Sequence, residues 1–364
     1  MVDWTQPFRA SYRYMRVSRA TGLETERLTG ILDDGTIERN DDTTCKESAT
    51  VTSVDWRGIG PDLVRVYLDA EFEDGSAESA ALGTFLPSTS SRTVGGAART
   101  STVQLTGRLA ELEQDMFGQA FQLPAGTDAV GYAARICRDA GFSVIADDSA
   151  YKLPEAVAYG IGAPSSSGSA VEGKLAVVND LLDRAGFSSA RTDARGRIVM
   201  RRYVEPQDRA PSASFTEGVD ARFLREVEDG RDTSGVANAV YVVYSAPATD
   251  DGEQAAGIIG SAEDAAGGEF SISSVGRRIV RRESYSEEAT QEDADAKAAE
   301  LLRTSQAVKR TVSVSHVYAP LTIGDSFDLA YRSQGLIGRY AVRTQRITLG
   351  AGCLTETEGR AYER

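Results

Sequence analysis

Strict two-residue alternation governs both ends of this chain and commits them to sheet. In DLVRVYLDAEFE, residues 62–73, Val64, Val66, Leu68, Ala70 and Phe72 fall on one face while Arg65, Tyr67, Asp69, Glu71 and Glu73 fall on the other. Successive side chains of a strand point to opposite faces, so the segment reads as a half-buried strand. Asp74-Gly75 suits the positive φ angles of a tight hairpin, and SAESAALGTFL reads as the returning strand. ERLTGILDDGTIERN repeats that logic with Asp34-Gly35 as its turn, and in FRASYRY Phe8, Ala10, Tyr12 and Tyr14 lie opposite Arg9, Ser11 and Arg13. Several such strands in a row predict an antiparallel sheet or barrel.

The middle of the chain changes period and carries an internal repeat. TDAVGYAARICRDAGFSVIADD and EGKLAVVNDLLDRAGFSSARTD each read as an amphipathic helix that ends at Ala-Gly-Phe, followed by a short strand that runs to an aspartate. Gly141 and Gly186 fall where a helix C-terminus takes a left-handed residue. Val130, Ala133, Ile136 and Cys137 form the apolar stripe of the first helix, and Leu175, Val178, Leu181 and Leu182 that of the second. Two copies are too few for a solenoid and describe a small α/β module whose halves are joined by GAPSSSGSA.

Strand signals return after residue 209 in ANAVYVVYS, RRIVRRESYS, RTVSVSHVY, DSFDLAY and RYAVRTQRITL. Residues 245–270, with six acidic side chains, five glycines and no base, predict a mobile exposed loop. ATQEDADAKAAELLRTSQ, residues 289–306, has its acids early and Arg303 late, which suits a helix dipole and predicts one helix laid against a sheet. A chain of 364 residues is long enough for two or three domains of roughly 150 residues. The expected class is α+β, mainly β. A first antiparallel β domain, sheet or barrel, is expected over 1–107, the α/β module over 108–208, and a second β domain, with the acidic loop and the helix, over 209–364.

Charge and composition narrow the function. With 54 acidic against 40 basic side chains, the net charge of −14 argues against a surface built to hold phosphate backbones. Local basic clusters exist in GRIVMRR (Arg197, Arg201, Arg202) and GRRIVRR (Arg277, Arg278, Arg281, Arg282). Without interleaved aromatics they read as exposed strand positions and inter-subunit salt-bridge partners. MVDWTQPFRA has neither the basic nor the apolar region of an export signal, and no apolar run approaches the ~20 residues that span a bilayer. Synthesis in a cytoplasm and no membrane-spanning segment are expected. Cys45, Cys137 and Cys353 match neither a zinc pattern nor a disulfide framework and read as reduced core residues.

One stretch invites a catalytic reading. HVYAPLTIGDSFDLAY, residues 316–331, holds the single histidine, His316, and a Gly-Asp-Ser that resembles the nucleophile block of the GDSL esterases, with Ser326 as nucleophile. Those esterases place the block near the N-terminus and take their histidine from a later Asp-x-x-His. Here the histidine comes first and Ser313 stands three residues before it. His316 shares strand parity with Val312, Val314 and Tyr318, so its ring is expected to be packed, and Gly324-Asp325 reads as a tight turn. No phosphate-binding loop, dinucleotide fingerprint or His-Glu-x-x-His is present. Carboxylate pairs such as those in EFED and REVED read as solvated faces. A two-carboxylate glycosidase would want aromatic subsites, and Trp4 and Trp56 are the only tryptophans. No catalytic, cofactor-binding or metal-ligating residue is assigned, and no cofactor is expected.

The order of features carries a resemblance. A β domain is followed by a module with Ala-Gly-Phe helix ends, then Val-Ala-Asn-Ala-Val in a strand and the helix DADAKAAELLR. Last comes a strand leading to Pro320-Leu-Thr-Ile-Gly324-Asp325-Ser-Phe-Asp-Leu329. This order resembles the bacteriophage baseplate hub proteins, also called tail-associated or tail-tip proteins. The resemblance implies two tail-tube-like β-barrels per subunit and a homotrimer whose six barrels cap a sixfold tube. It implies the distal tail protein or tail tube protein and the tape-measure protein as partners, a channel through which DNA passes, and a place at the virion tail tip. Many relatives continue into a fibre or a wall-degrading extension, whereas this sequence stops at AYER soon after its last strand. A carbohydrate- or receptor-binding tail module and a cell-wall hydrolase are the competing readings.

Overall fold

A computed structural model describes residues 3–95, 98–163, 171–244, 257–285, 290–306 and 308–363. The chain is mainly β and divides into two compact units, residues 1–227 with 313–359 and residues 228–312 with 360–364. No helix among the described residues is long and apolar enough to cross a membrane.

The first unit opens with β1 (Phe8–Val17), β2 (Glu24–Leu28), β3 (Thr36–Asn40), β4 (Glu47–Ser53), β5 (Leu63–Phe72), β6 (Ala77–Gly95) and β7 (Ala98–Gly107). The alternation of β5 is real: Val64, Val66, Leu68, Ala70 and Phe72 are all buried. Asp74-Gly75 closes the β5–β6 hairpin, where the Phe72 amide donates to the Ser76 carbonyl at 2.9 Å. The expected hairpin at Asp34-Gly35 does not form. β2 pairs with β1 at the sheet's edge, where its Glu and Arg side chains meet water, whereas β3 buries Ile37 and Arg39 and pairs with β4. Alternation identified both strands but carries no information about which strand lies beside which.

The module follows as α1 (Ala110–Glu113), β8 (Phe121–Leu123), α2 (Ala129–Asp139), β9 (Val144–Ala146), β10 (Val157–Tyr159), α3 (Lys174–Arg184), β11 (Arg191–Thr192) and β12 (Ile198–Met200). Asp128 caps α2 by accepting the Gly131 amide at 3.0 Å. Both helices end alike. The Phe142 amide donates to Cys137 O and Gly141 to Arg138 O, and the Phe187 amide donates to Leu182 O and Gly186 to Asp183 O. This six-to-one and five-to-two pairing requires a left-handed residue after the helix, and Gly141 and Gly186 take φ of 86° and 72°. The predicted stripes of α2 and α3 are buried in one core with Phe142 and Phe187, so the repeat in sequence is a repeat in structure. Most of the GAPSSSGSA joint lies outside the described residues.

The remaining elements are β13 (Ala213–Thr216), β14 (Phe223–Asp232), β15 (Ala239–Tyr244), β16 (Ile258–Glu263), α4 (Ile272–Val275), β17 (Val280–Tyr285), α5 (Gln291–Ser305), β18 (Val308–His316), β19 (Ser326–Tyr331), β20 (Leu336–Thr348) and β21 (Thr355–Glu363). In the first unit β20 pairs with β3, so the sheet runs on through β4, β7, β6, β5 and β1 to β2, while β19 pairs with β20 and carries β13 in parallel. Its core gathers Tyr12, Ile37, Val66, Leu68, Phe85, Tyr318 and Ile347. Trp4 is packed there, in edge contact with Phe8, Phe72 and Tyr318 at centroid distances of 5.0–5.7 Å, and Trp56 rests against the same core.

The second unit holds the three-stranded sheet β16–β15–β17 with α5 against it. Thr290 and Asp293 form a reciprocal capping box at the start of α5, and Val240, Val242 and Ala298 are the buried centre. Asn238 of Val-Ala-Asn-Ala-Val is fully buried because its amide is satisfied: it donates to Phe270 O and Arg277 O and accepts from the Ile279 amide. The acidic stretch expected as a loop differs in part. Residues 245–256 lie outside the described residues, but Ile258–Glu263 is strand β16, whose Ile258, Gly260 and Ala262 turn toward the helix.

Candidate functional site

β18 carries Val312, Val314 and His316 to the inside of the fold, as their shared parity predicts. His316 is 1% exposed and lies with its ring centroid 4.5 Å from that of Phe215. Its Nδ1 lies 2.7 Å from the Val317 carbonyl, an acceptor only, so Nδ1 carries the proton. Nε2 therefore accepts from the Thr357 hydroxyl at 2.8 Å. Both ring nitrogens are committed. Burial lowers the His316 pKa from its ordinary 6.5 to about 4, against a smaller raising effect of the Val317 carbonyl.

The histidine begins a longer buried polar chain. Thr357 Oγ1 accepts from Gln345 Nε2 at 3.3 Å, and Gln345 Oε1 accepts from Arg39 Nη1 at 2.8 Å. Arg39 also donates to the carbonyls of Leu321 and Leu82. Its Nε stands 3.5 Å from Glu47 Oε1, and Glu47 Oε2 accepts the Thr192 hydroxyl at 2.8 Å. All six residues, His316, Thr357, Gln345, Arg39, Glu47 and Thr192, are buried. They join β18, β21, β20, β3 and β4 to the module's β11. Burial raises the Glu47 pKa, and the Arg39 charge works against that rise.

The Gly-Asp-Ser is a joint of a similar kind. Gly324 takes φ of 84°, and a Cβ there would stand 1.7 Å from Arg191 Nη1, so the Arg191 side chain occupies the space a side chain would need. The Asp325 amide donates to Thr322 O at 3.1 Å and its carboxylate accepts the Thr322 amide at 3.0 Å, which makes the predicted tight turn. Burial raises the Asp325 pKa and lowers that of Arg191, and each opposes the other's shift through its charge. Ser326 is buried with its hydroxyl 3.5 Å from the Pro206 carbonyl. A serine nucleophile needs a base that accepts its proton and an open approach for substrate. His316 gives its free nitrogen to Thr357 instead, and Ser326 faces a carbonyl. The geometry of both residues is that of satisfied core polar groups.

This burial has a measurable consequence. A group whose folded pKa lies below its unfolded value binds fewer protons in the native state, so His316 contributes stability above pH 6.5 that is lost as pH falls toward 4. Between pH 7 and pH 5 the loss from this residue is about 2 kcal/mol. Urea unfolding of the protein and of His316→Gln at both values isolates it: the variant lacks this part of the acid slope. Equal slopes in the two proteins would place His316 in contact with water.

The basic clusters pair largely within the chain. Arg197 binds Asp193, Arg201 binds Asp147, and Arg202 donates to the Asp148 carbonyl. Arg278 binds Glu263 and Arg281 binds Glu283. Cys137 and Cys353 are buried free thiols, while Cys45, only partly buried, donates to Glu113 at 2.8 Å. No group of three or more His, Cys, Asp or Glu side chains placed to hold a metal ion occurs among the described residues. Sequence reading found His316 and the turn at Gly324 but not the polar chain. Arg39, Glu47, Gln345 and Thr357 sit at inward positions of their strands, and for Arg39, beside Ile37, and Glu47, in line with Ala49 and Val51, a charge on an inward face is the signal that marks them.

Comparison with solved structures gives end-to-end likeness. A tail protein from Neisseria meningitidis MC58 superposes with a TM-score of 0.63 at 12% identity over 97% of this chain and 96% of that one. The 43 kDa tail protein of prophage MuSo2 from Shewanella oneidensis gives 0.63 at 13% over 97% and 100%. The prophage tail protein gp18 from Listeria monocytogenes EGD-e gives 0.55 at 13% over 96% and 94%. The chain therefore has the fold of these tail proteins. No protein-family model matches the sequence, and no curated protein sequence is similar to it.

Proposed function

We propose that the chain is a structural subunit of a phage tail or phage-tail-like particle, a baseplate hub that forms a trimeric ring at the tail tip. The observation that carries this reading is the likeness over nearly the whole of both chains to three tail proteins, at identities so low that only fold is shared. In this reading the ring caps the tail tube against the distal tail protein or the tube protein. It surrounds the passage of DNA and the tape-measure protein. Tube-like barrels would be built from residues 1–107 and 209–364, with the module 108–208 between them. The protein would work without catalysis, and the burial of His316 and Ser326 in satisfied contacts supports that.

A tube tip that passes DNA must not hold it, because each neutralised phosphate releases counterions and adds affinity that ejection would have to undo. Carboxylates are therefore expected to line the channel of the trimer. Mass photometry of the purified chain, followed by electron-microscopic class averages, tests both statements. The expected result is a threefold ring with an acid-lined channel. A protein that stays monomeric at every concentration reached, or a channel lined mainly by arginine and lysine, would overturn the reading.

A further inference from the structure

On this acidic chain, five arginines converge on one cleft of the first unit. The turn between β1 and β2 supplies Arg19, β5 supplies Arg65, Arg108 stands two residues ahead of α1, and the β11–β12 turn supplies Arg195 and Arg197. The cleft has a volume of about 490 Å³, and Glu24 is the single carboxylate among its lining residues. Around it, Arg65 binds Glu24 at 2.9 Å, Arg19 and Arg108 share Glu111 at 2.6 and 2.8 Å, and Arg197 binds Asp193 at 2.6 Å. Five guanidiniums thus meet three carboxylates, an excess of two positive charges. Arg65 donates to Glu24, Thr84 Oγ1 and the Arg195 carbonyl, one bond from each of its nitrogens. Arg195 is exposed, and among the described residues its guanidinium has no partner.

We propose that this cleft is a docking site for an acidic segment of a neighbouring protein chain, which places its carboxylates against Arg195 and Arg19. The chemistry favours carboxylate. Four of the five guanidiniums already bind carboxylate oxygens, and the unfilled donors lie among them in the fork geometry that matches this group. A single-stranded nucleic acid would need aromatic platforms for its bases, and no aromatic side chain lines the cleft. A single exposed ion pair contributes little, so the segment must engage several arginines at once. Because Arg19 belongs to the sheet and Arg195 to the module, an occupant that spans them fastens one to the other.

Calorimetric titration of the full-length protein with hexaglutamate at low ionic strength, beside hexaglutamine and hexathymidylate, tests the site. Hexaglutamate is expected to bind saturably and to raise the melting temperature, hexaglutamine to give no heat, and hexathymidylate to bind at least tenfold more weakly than hexaglutamate. Arg195→Glu, which alters an exposed side chain, is expected to weaken hexaglutamate at least tenfold, Arg19→Gln to weaken it by a smaller factor, and Arg332→Glu, elsewhere on the surface, to leave it unchanged. Absence of saturable binding, equal losses in Arg195→Glu and Arg332→Glu, or tighter binding of hexathymidylate than of hexaglutamate would each overturn the proposal.

Discussion

Arg39→Met is expected to lower stability by about 3–5 kcal/mol at pH 7, the largest loss of any substitution considered, although methionine fills much of the same volume. Arg39 is 6% exposed, and Glu47 beside it 5%. Removal of the guanidinium leaves the carbonyls of Leu82 and Leu321 and the amide oxygen of Gln345 without that donor. It also leaves Glu47 as a buried charge with the Thr192 hydroxyl as its hydrogen-bond partner. The cost is then relieved by protonation. Glu47 already has a raised pKa, and a group raised in the folded state contributes stability at low pH that is lost as pH rises through its folded value. The variant is therefore closer to the unsubstituted protein at pH 5 than at pH 7. Arg39→Met with Glu47→Leu recovers much of the loss, because a buried pair replaced by apolar groups is often nearly neutral. Urea midpoints of the three proteins at the two pH values decide the matter. A single variant that unfolds within about 1 kcal/mol of the parent at pH 7 would show that Glu47 reaches water.

The second large effect belongs to the smaller unit. A Cβ on Gly260 would stand 2.1 Å from the Ala294 carbonyl oxygen and 2.7 Å from the Asp295 amide nitrogen, both backbone atoms of α5. Backbone cannot swing aside as a side chain can, so Gly260→Val forces the helix off β16. The first turn of α5 is fixed there by the Asp295 carboxylate, which accepts the Ser261 amide at 3.0 Å, and by Gln291, which donates to the Ile259 carbonyl at 2.9 Å. Lifting the helix breaks these bonds and uncovers Val240, Val242 and Ala298. The expected cost is about 3 kcal/mol, at the upper end of overpacking. Hydrogen exchange reads it directly: protection in residues 291–305 falls while α2 and α3 keep theirs. Undiminished protection in α5 would mean that the helix does not rest on β16 through this glycine.

Legibility in the sequence followed the range of the interactions. The module was readable because its determinants are local. Helix period, the glycine after each helix and the phenylalanine that follows are all set within a few residues, and both copies were placed correctly. Individual strands were also readable, since alternation needs no knowledge of the neighbour. Pairing was not. ERLTGILDDGTIERN looks like a hairpin by every local rule, yet its two strands lie apart, since ETERL has no apolar face to bury while TIERN takes Ile37 and Arg39 inside. Strand β16 was hidden because Gly260 and Ala262 give a weak apolar face, and the helix that covers it begins only at Gln291. The polar chain was hidden for a similar reason: Arg39 and Gln345 are 306 residues apart and become partners only when β3 is laid beside β20. Parity placed His316 inside; its partners could not be named until the sheet order was known.

The seam between β3 and β20 bears on how the chain is made. Thr36 pairs with Thr348 and Asn40 with Thr344, so β3 is flanked by a strand synthesised roughly 300 residues after it. The early strands can form β3–β4 and β4–β7 contacts, but one side of β3 presents unpaired amides and carbonyls until β20 arrives. At ordinary elongation rates of about 5–20 residues per second, that edge stands open for tens of seconds. Closing a loop of this length is slow and makes the β3–β20 seam a late step in completing the largest sheet. A nascent chain in this state is sticky toward other copies of itself, and many ribosomes working on one message would hold such copies close together. Yield at high expression should therefore be limited by the waiting time of β3 rather than by the stability of the finished protein.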